Sequence, residues 1–212
     1  MVPEYPVWEI ERQAGELLQQ AYPEGIPESA IDVEWLIEAV VGLQIVPIPG
    51  LKRGWDIPGV LCRLGRGEFC VVVDCDVMDY KPNYYRFTLG EELGHYVLHR
   101  KHLPRVRGHD EAIEAYRKLN EWPVLHRNAR KFAAAILVPM RTLAPNAQRF
   151  YADLVKRVGF ADPEAVRKYL SVRLARPYEV SSESMGYRLR EYPERLAARV
   201  DKALEERLPS LP

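Results

Sequence analysis

Hydrophobic positions recur along most of the chain at the spacing of helices. In residues 7–22 and 32–42, apolar side chains return every three or four positions, and a proline or glycine ends each stretch. That interval places apolar side chains on one face of a helix, and the closing residue is typical of a helix end. The same reasoning predicts helices over about residues 84–100, 110–119 and 122–137.

Three short extended stretches lie between the second of these helices and the third. They cover residues 43–48, 59–64 and 68–74, and a Gly-Arg-Gly turn joins the last two. Short apolar runs bounded by turn residues predict strands, whereas residues 74–82 are predicted to form a loop. We therefore predict an α+β fold in which a small, mainly antiparallel sheet packs among many helices.

The length of the chain, 212 residues, predicts one well-buried core rather than two full domains. We expect residues 1–140 to form this core and residues 141–212 to form a helical segment that packs on it. Prolines predict breaks in this helical segment at Pro163, Pro177 and Pro193.

The charge balance of the chain argues against a dedicated nucleic-acid-binding protein. Thirty basic residues balance thirty acidic ones, so no global charge attracts the protein to DNA or to an anionic membrane. Val180, Ser181 and Ser182, followed by Met185 and Arg188, faintly resemble the second helix of a helix-turn-helix. Because the net charge is zero and lysines are few, we expect no direct nucleic-acid partner.

Composition also predicts a cytoplasmic protein. No apolar run approaches the roughly 20 residues that cross a bilayer, and the start, Met1 to Glu4, lacks the pattern of a signal peptide. The three cysteines are odd in number and lack Cys-x-x-Cys spacing. We interpret Cys62 and Cys70 as buried apolar side chains rather than as bridges or ligands.

The helix near residues 84–100 carries the candidate chemistry. Glu91, Glu92 and His95 fall along one flank of its apolar stripe, while Gly90 and Gly94 leave another side bare for close packing. Two ligands four positions apart can hold one metal ion from a single helix, and a carboxylate after the first ligand can reach a metal-bound water. The usual motif is His-Glu-x-x-His, and here a glutamate stands in its first position.

Residues 86–99 resemble the active-site helix of the ImmA/IrrE metallopeptidases. Residues 132–139 are similar to a second segment of that family and residues 180–189 to a third. Residues 33–41 are similar to its N-terminal helix, and residues 59–61 and 70–74 to its strands, so the resemblance covers roughly residues 30–190. It implies a zincin-like active-site helix, with Glu92 as general base and Arg188 in a position to steady an oxyanion. It also implies a proteolytic regulator whose substrate is a helix-turn-helix repressor, in a stress-response or mobile-element circuit.

The resemblance also implies the metal ligands. In the family, a glutamate before the second segment supplies the third ligand, and the corresponding residue here is His126. The first histidine has thus become Glu91 and the glutamate has become His126, so that with His95 two imidazoles and one carboxylate remain. This donor set predicts one divalent ion, with zinc as the default, although manganese and iron also suit it. We expect His99 to be a structural residue.

Two questions stay open at the level of sequence. Loss of the first histidine also fits a catalytically inactive pseudo-peptidase that binds a partner protein, so whether the chain is an enzyme is undecided. Residues 101–120 form an insertion-like stretch that suits a lid, a partner surface or simple packing. The oligomeric state does not follow from the sequence.

Overall fold

The structure is a computed structural model that describes residues 4–65, 67–158 and 163–190, together with residue 202. The chain forms two compact units. The first comprises residues 1–23 and 32–137, and the second comprises residues 24–31 and 138–212. Pro193, a predicted helix break, lies outside the described residues.

The first unit contains seven helices and four strands within the described residues. The helices are α1 (Val7–Ala21), α2 (Val33–Trp35, continued by a π-helical segment Leu36–Val41), α3 (Leu51–Trp55), α4 (Cys75–Tyr80), α5 (Pro82–Gly94, continued by a π-helical segment His95–His99), α6 (His109–Arg117) and α7 (Trp122–Leu137). The strands are β1 (Gln44–Ile48), β2 (Gly59–Leu64), β3 (Phe69–Asp74) and β4 (Arg105–Val106).

The sheet is mixed, with the strand order β1-β3-β2-β4. Strand β3 pairs parallel with β1 and antiparallel with β2, and β2 pairs parallel with β4. The α+β class is therefore confirmed, but the sheet is not mainly antiparallel. Only β2 and β3 are joined by a tight turn, and strands linked through helices or long connections can run in the same direction.

A helix replaces the loop predicted after β3. Asp74 caps α4, because its Oδ1 accepts a hydrogen bond from the backbone N–H of Val77 (3.1 Å), while its Oδ2 accepts one from Lys52 N–H (2.8 Å). Pro82 then occupies the first turn of α5, where a missing N–H costs nothing. Helix α4 thus connects the sheet to α5, the helix that carries the candidate chemistry.

Helices α5 and α7 approach each other at the level of their backbones. A Cβ atom added to Gly90 would lie 3.0 Å from Ala133 Cβ, and one added to Gly94 would lie 3.0 Å from the Cα of Ala129. Contacts that short leave no room for a side chain. The glycines thus permit the close helix packing that the sequence predicts, and the contact fixes the position of α5 along α7.

The second unit is helical over its described residues. It contains α8 (Met140–Val158), α9 (Pro163–Tyr178) and α10 (Ser182–Arg190). Pro163 begins α9, and Pro177 lies in the last turn of that helix, which ends at Tyr178, one residue beyond the predicted break. The buried Tyr178 hydroxyl donates to Thr142 Oγ1 (3.1 Å) and accepts from the amide of Asn146 (2.9 Å).

Among the described residues, every helix is too short or too polar to cross a membrane.

Candidate active site

A cavity of about 510 Å³ opens beside α5 in the first unit. Residues from α5, α6 and α7, and from the segment around β2, line it. Aromatic side chains form much of its wall: Trp55, Tyr84, Phe87, Tyr116 and Trp122. The four candidate residues of the first unit also line it: Glu91, Glu92, His95 and His126. The structure thus brings these four side chains to one concave surface.

Glu92 is buried and bonded to the sheet. Its Oε2 accepts a hydrogen bond from the backbone N–H of Leu61 in β2 (2.7 Å), and the carbonyl of Leu61 accepts one from the hydroxyl of Tyr116. Burial raises the pKa of Glu92 to about 8, and the neighbouring carboxylate of Glu91 adds to this, while the Leu61 N–H opposes it. The carboxyl group is therefore mostly protonated at neutral pH.

Glu91 faces two basic side chains of α7. Its Oε1 lies 3.6 Å from Nε2 of His126 and 3.5 Å from Nε of Arg130. Burial raises the pKa of Glu91 to about 7, although Arg130 lowers it. Because the Arg130 side chain is 61% exposed, water screens its charge and the desolvation of Glu91 dominates. Burial, with a contribution from Arg130, also lowers the pKa of His126.

His95 is held by aromatic and histidine neighbours. Its ring stacks on Trp122 with a centroid separation of 5.2 Å and an interplanar angle of 2°. Its Nδ1 lies 3.3 Å from Nδ1 of His99, which is fully buried. Burial lowers the pKa of His95 well below its usual value, and the charges of His99 and His126 add to this effect. His95 is therefore neutral at neutral pH.

Asn128 extends this row of side chains onto α7. Its Nδ2 lies 3.4 Å from Nε2 of His99, and Nδ1 of His99 lies 3.3 Å from Nδ1 of His95. The row therefore joins α7 to the π-helical end of α5 and holds the ring of His95 in place.

The donor groups do not fit a metal centre in this arrangement. Across the described part of the chain, no three His, Cys, Asp or Glu side chains are grouped so that they could hold a metal ion. Glu91 and His126 approach each other, whereas His95 contacts His99 and Trp122. The three predicted ligands share one cavity, and their role as metal ligands stays a prediction.

A family model decides the relationship of the chain to known proteins. The model Peptidase_M78, described as the IrrE N-terminal-like domain, matches residues 80–190, which is more than half of the chain. The chain belongs to this family. The resemblance to the ImmA/IrrE metallopeptidases is therefore confirmed, and the family is metallopeptidase-like. No curated protein matches the chain.

The IrrE-like match includes Arg188, which lies in the second unit. Its Nε donates a hydrogen bond to the carbonyl of Val138 (3.0 Å), and the side chain is buried. The structure therefore gives Arg188 a contact within its own unit, and its predicted role toward an oxyanion stays a prediction.

The Glu-Glu-x-x-His motif does not identify three further residues that line this cavity. Trp122 and Arg130 lie four positions before and after His126 on α7 and share its face, so helical spacing alone could have found them. Tyr116 gives no such signal, because its contact with Leu61 joins residues 55 positions apart in sequence. Such a contact appears only once the chain is folded.

Proposed function

We propose that the chain is a regulatory binding protein on a metallopeptidase-like fold, and that its cavity holds a segment of a partner protein without hydrolysing it. The observation that supports this proposal is how the candidate catalytic groups are engaged. Glu92 is bonded to Leu61 N–H and mostly protonated, whereas a general base must accept a proton. The ring of His95 stacks on Trp122 and contacts His99. These groups suit hydrogen bonding to a ligand better than activation of water.

The walls of the cavity indicate what such a partner segment contains. Aromatic side chains favour an apolar or aromatic ligand, since they supply most of the contact area in binding pockets. Arg130, whose guanidinium lies 5.9 Å from the ring centroid of Phe87, and the exposed Arg117 both line the cavity. Guanidinium groups pair well with carboxylates. The segment would therefore combine apolar side chains with an acidic group, and we propose a helix-turn-helix repressor as its source, following the family resemblance.

Metal analysis provides the first test of this proposal. Protein purified without chelators, and protein reconstituted with zinc, manganese or iron, would be compared with the Glu91→Ala and His126→Ala variants. We expect no stoichiometric metal in any of the three proteins. Near-stoichiometric metal in the parent protein that both variants lose would overturn the proposal.

That opposite outcome would favour a second candidate function, a metal-dependent peptidase. One observation supports it: Glu91 Oε1 and His126 Nε2 lie only 3.6 Å apart, in the cavity that His95 also lines. In that case Glu91, His95 and His126 would hold a zinc, manganese or iron ion, and Glu92 would act on its water.

Binding and hydrolysis can be separated in a second experiment. Purified helix-turn-helix repressors would be incubated with the chain, and complex formation and cleavage would be followed by light scattering and mass spectrometry. We expect a complex with intact repressor, weakened at least several-fold by Trp122→Ala. The matched control is Trp8→Ala, because Trp8 is 55% exposed on α1 and does not line the cavity. Cleaved repressor, or equal effects of the two variants, would contradict the proposal.

A further inference from the structure

Two cysteines face each other on the β2–β3 hairpin. Cys62 and Cys70 are Cα partners in the antiparallel register. The backbones of residues 64 and 68 are hydrogen-bonded to each other, and so are those of residues 58 and 74. Hydrogen-bonded and non-hydrogen-bonded pairs alternate along an antiparallel ladder, so the pair 62/70 is also hydrogen-bonded. The Cα atoms of such a pair lie about 5.5 Å apart, within the range of about 4.4–6.8 Å that disulfides span.

The two thiols differ in how easily a reagent reaches them. Cys62 is buried, as the sequence predicts. The prediction that Cys70 is also buried is wrong, because Cys70 is partly exposed and lines a second cavity together with Phe69 and Tyr96. A hydrogen bond from the Cys62 thiol lowers the pKa of Cys70 to about 7, although burial opposes it. The same bond raises the pKa of Cys62. A partly exposed thiol with a lowered pKa is the type that reacts first with disulfides.

We propose that Cys62 and Cys70 are a thiol–disulfide redox site, which a low-molecular-weight disulfide such as oxidised glutathione converts into a disulfide bond across the hairpin. The Cys70 thiolate attacks one sulfur of oxidised glutathione and releases one glutathione thiolate. Cys62 then loses its proton and attacks the Cys70 sulfur of the mixed disulfide, which releases the second glutathione thiolate. The protein loses two electrons and two protons, and oxidised glutathione gains the two electrons.

The register also indicates that this disulfide is readily reduced. Side chains that face each other in a hydrogen-bonded pair have Cβ atoms about 5 Å apart, whereas a relaxed disulfide requires about 3.8 Å. The strands must therefore shift locally to close the bond, and strained disulfides have more oxidising potentials. Such a bond would form and break with the surrounding redox state.

Mass spectrometry of the full chain tests the proposal. Reduced protein would be treated with oxidised glutathione, and the parent chain would be compared with Cys62→Ala, Cys70→Ala and Cys75→Ala. The parent and Cys75→Ala should each lose the mass of two hydrogens, and mild reductant should reverse the change. Trypsin cleaves after Arg63, so a cross-linked peptide pair in Cys75→Ala would identify the Cys62–Cys70 bond directly.

The single-cysteine variants determine the order of events. Cys62→Ala should stop at a stable mixed disulfide on Cys70, and Cys70→Ala should react at least several-fold more slowly at Cys62. Circular dichroism would verify that each variant is folded. A parent chain that keeps glutathione on Cys70 without forming the cross-link, or a cross-link that is lost in Cys75→Ala, would overturn the proposal.

Discussion

Glu92→Gln is expected to stabilise the fold at alkaline pH. Burial and the charge of Glu91 raise the pKa of Glu92 to about 8, and glutamine keeps an oxygen that can accept the hydrogen bond from Leu61 N–H. The substitution therefore removes a buried charge while it preserves the main contact of the side chain. Functional sites often retain groups that lower stability, and replacing such a group commonly stabilises the fold.

The sign of the pH dependence follows from linkage. Between the usual glutamate pKa of 4.5 and the folded value of about 8, the folded chain holds a proton that the unfolded chain has lost. The contribution of Glu92 to the free energy of unfolding therefore falls as pH rises through this window, by about 1.4 kcal/mol per unit. Above it the loss is complete and amounts to several kcal/mol. The glutamine variant does not undergo this titration.

Urea unfolding at about pH 5 and about pH 9 would measure this effect. The free energy of unfolding of Glu92→Gln should exceed that of the parent by roughly 5 kcal/mol at the higher pH and by under about 1 kcal/mol at the lower. Glu114→Gln is the matched control, because Glu114 is exposed on α6. The reasoning fails if Glu92→Gln is no more stable than the parent at the higher pH.

Three further predictions concern the packing and the donors of the site. Gly94→Ala should destabilise the fold by about 1–3 kcal/mol in thermal unfolding, because the added Cβ meets the backbone of α7. Gly15→Ala should be neutral or stabilising by up to about 1 kcal/mol, since nothing lies within 4 Å of its Cβ position. The double variant Glu91→His with His126→Glu restores the donor order of the family, so it should bind zinc in a calorimetric titration, whereas the parent should not.

The active-site helix could be predicted from the sequence because the residues that indicate it are close together in the chain. Helical spacing placed Glu91, Glu92 and His95 on one flank, and the glycines at 90 and 94 indicated close packing. The family resemblance brought His126 to the same site, and the structure places all four side chains on one cavity.

The features that the sequence did not predict depend on the path of the chain. Strand β1 pairs in parallel with β3 because the segment between them, which contains α3 and β2, brings the chain back in the same direction. The pattern of residues within a strand does not indicate which direction its neighbour takes. Helix α4 is only six residues long and depends on the cap at Asp74, so it gave too short a pattern to separate from a loop. The side-chain row from Asn128 through His99 to His95 joins two helices, so no pattern within either helix indicates it.

The position of Leu61 has a consequence for how any ligand would enter the cavity. In its open pair with Val71, both backbone groups of Leu61 point away from β3. Glu92 and the hydroxyl of Tyr116 occupy them, whereas β4 pairs only with Arg63 and Leu64. A peptide therefore cannot extend the sheet as an added strand at Leu61 unless it displaces both side chains. A ligand at this edge would therefore be recognised through side-chain pockets rather than through a ladder of main-chain hydrogen bonds.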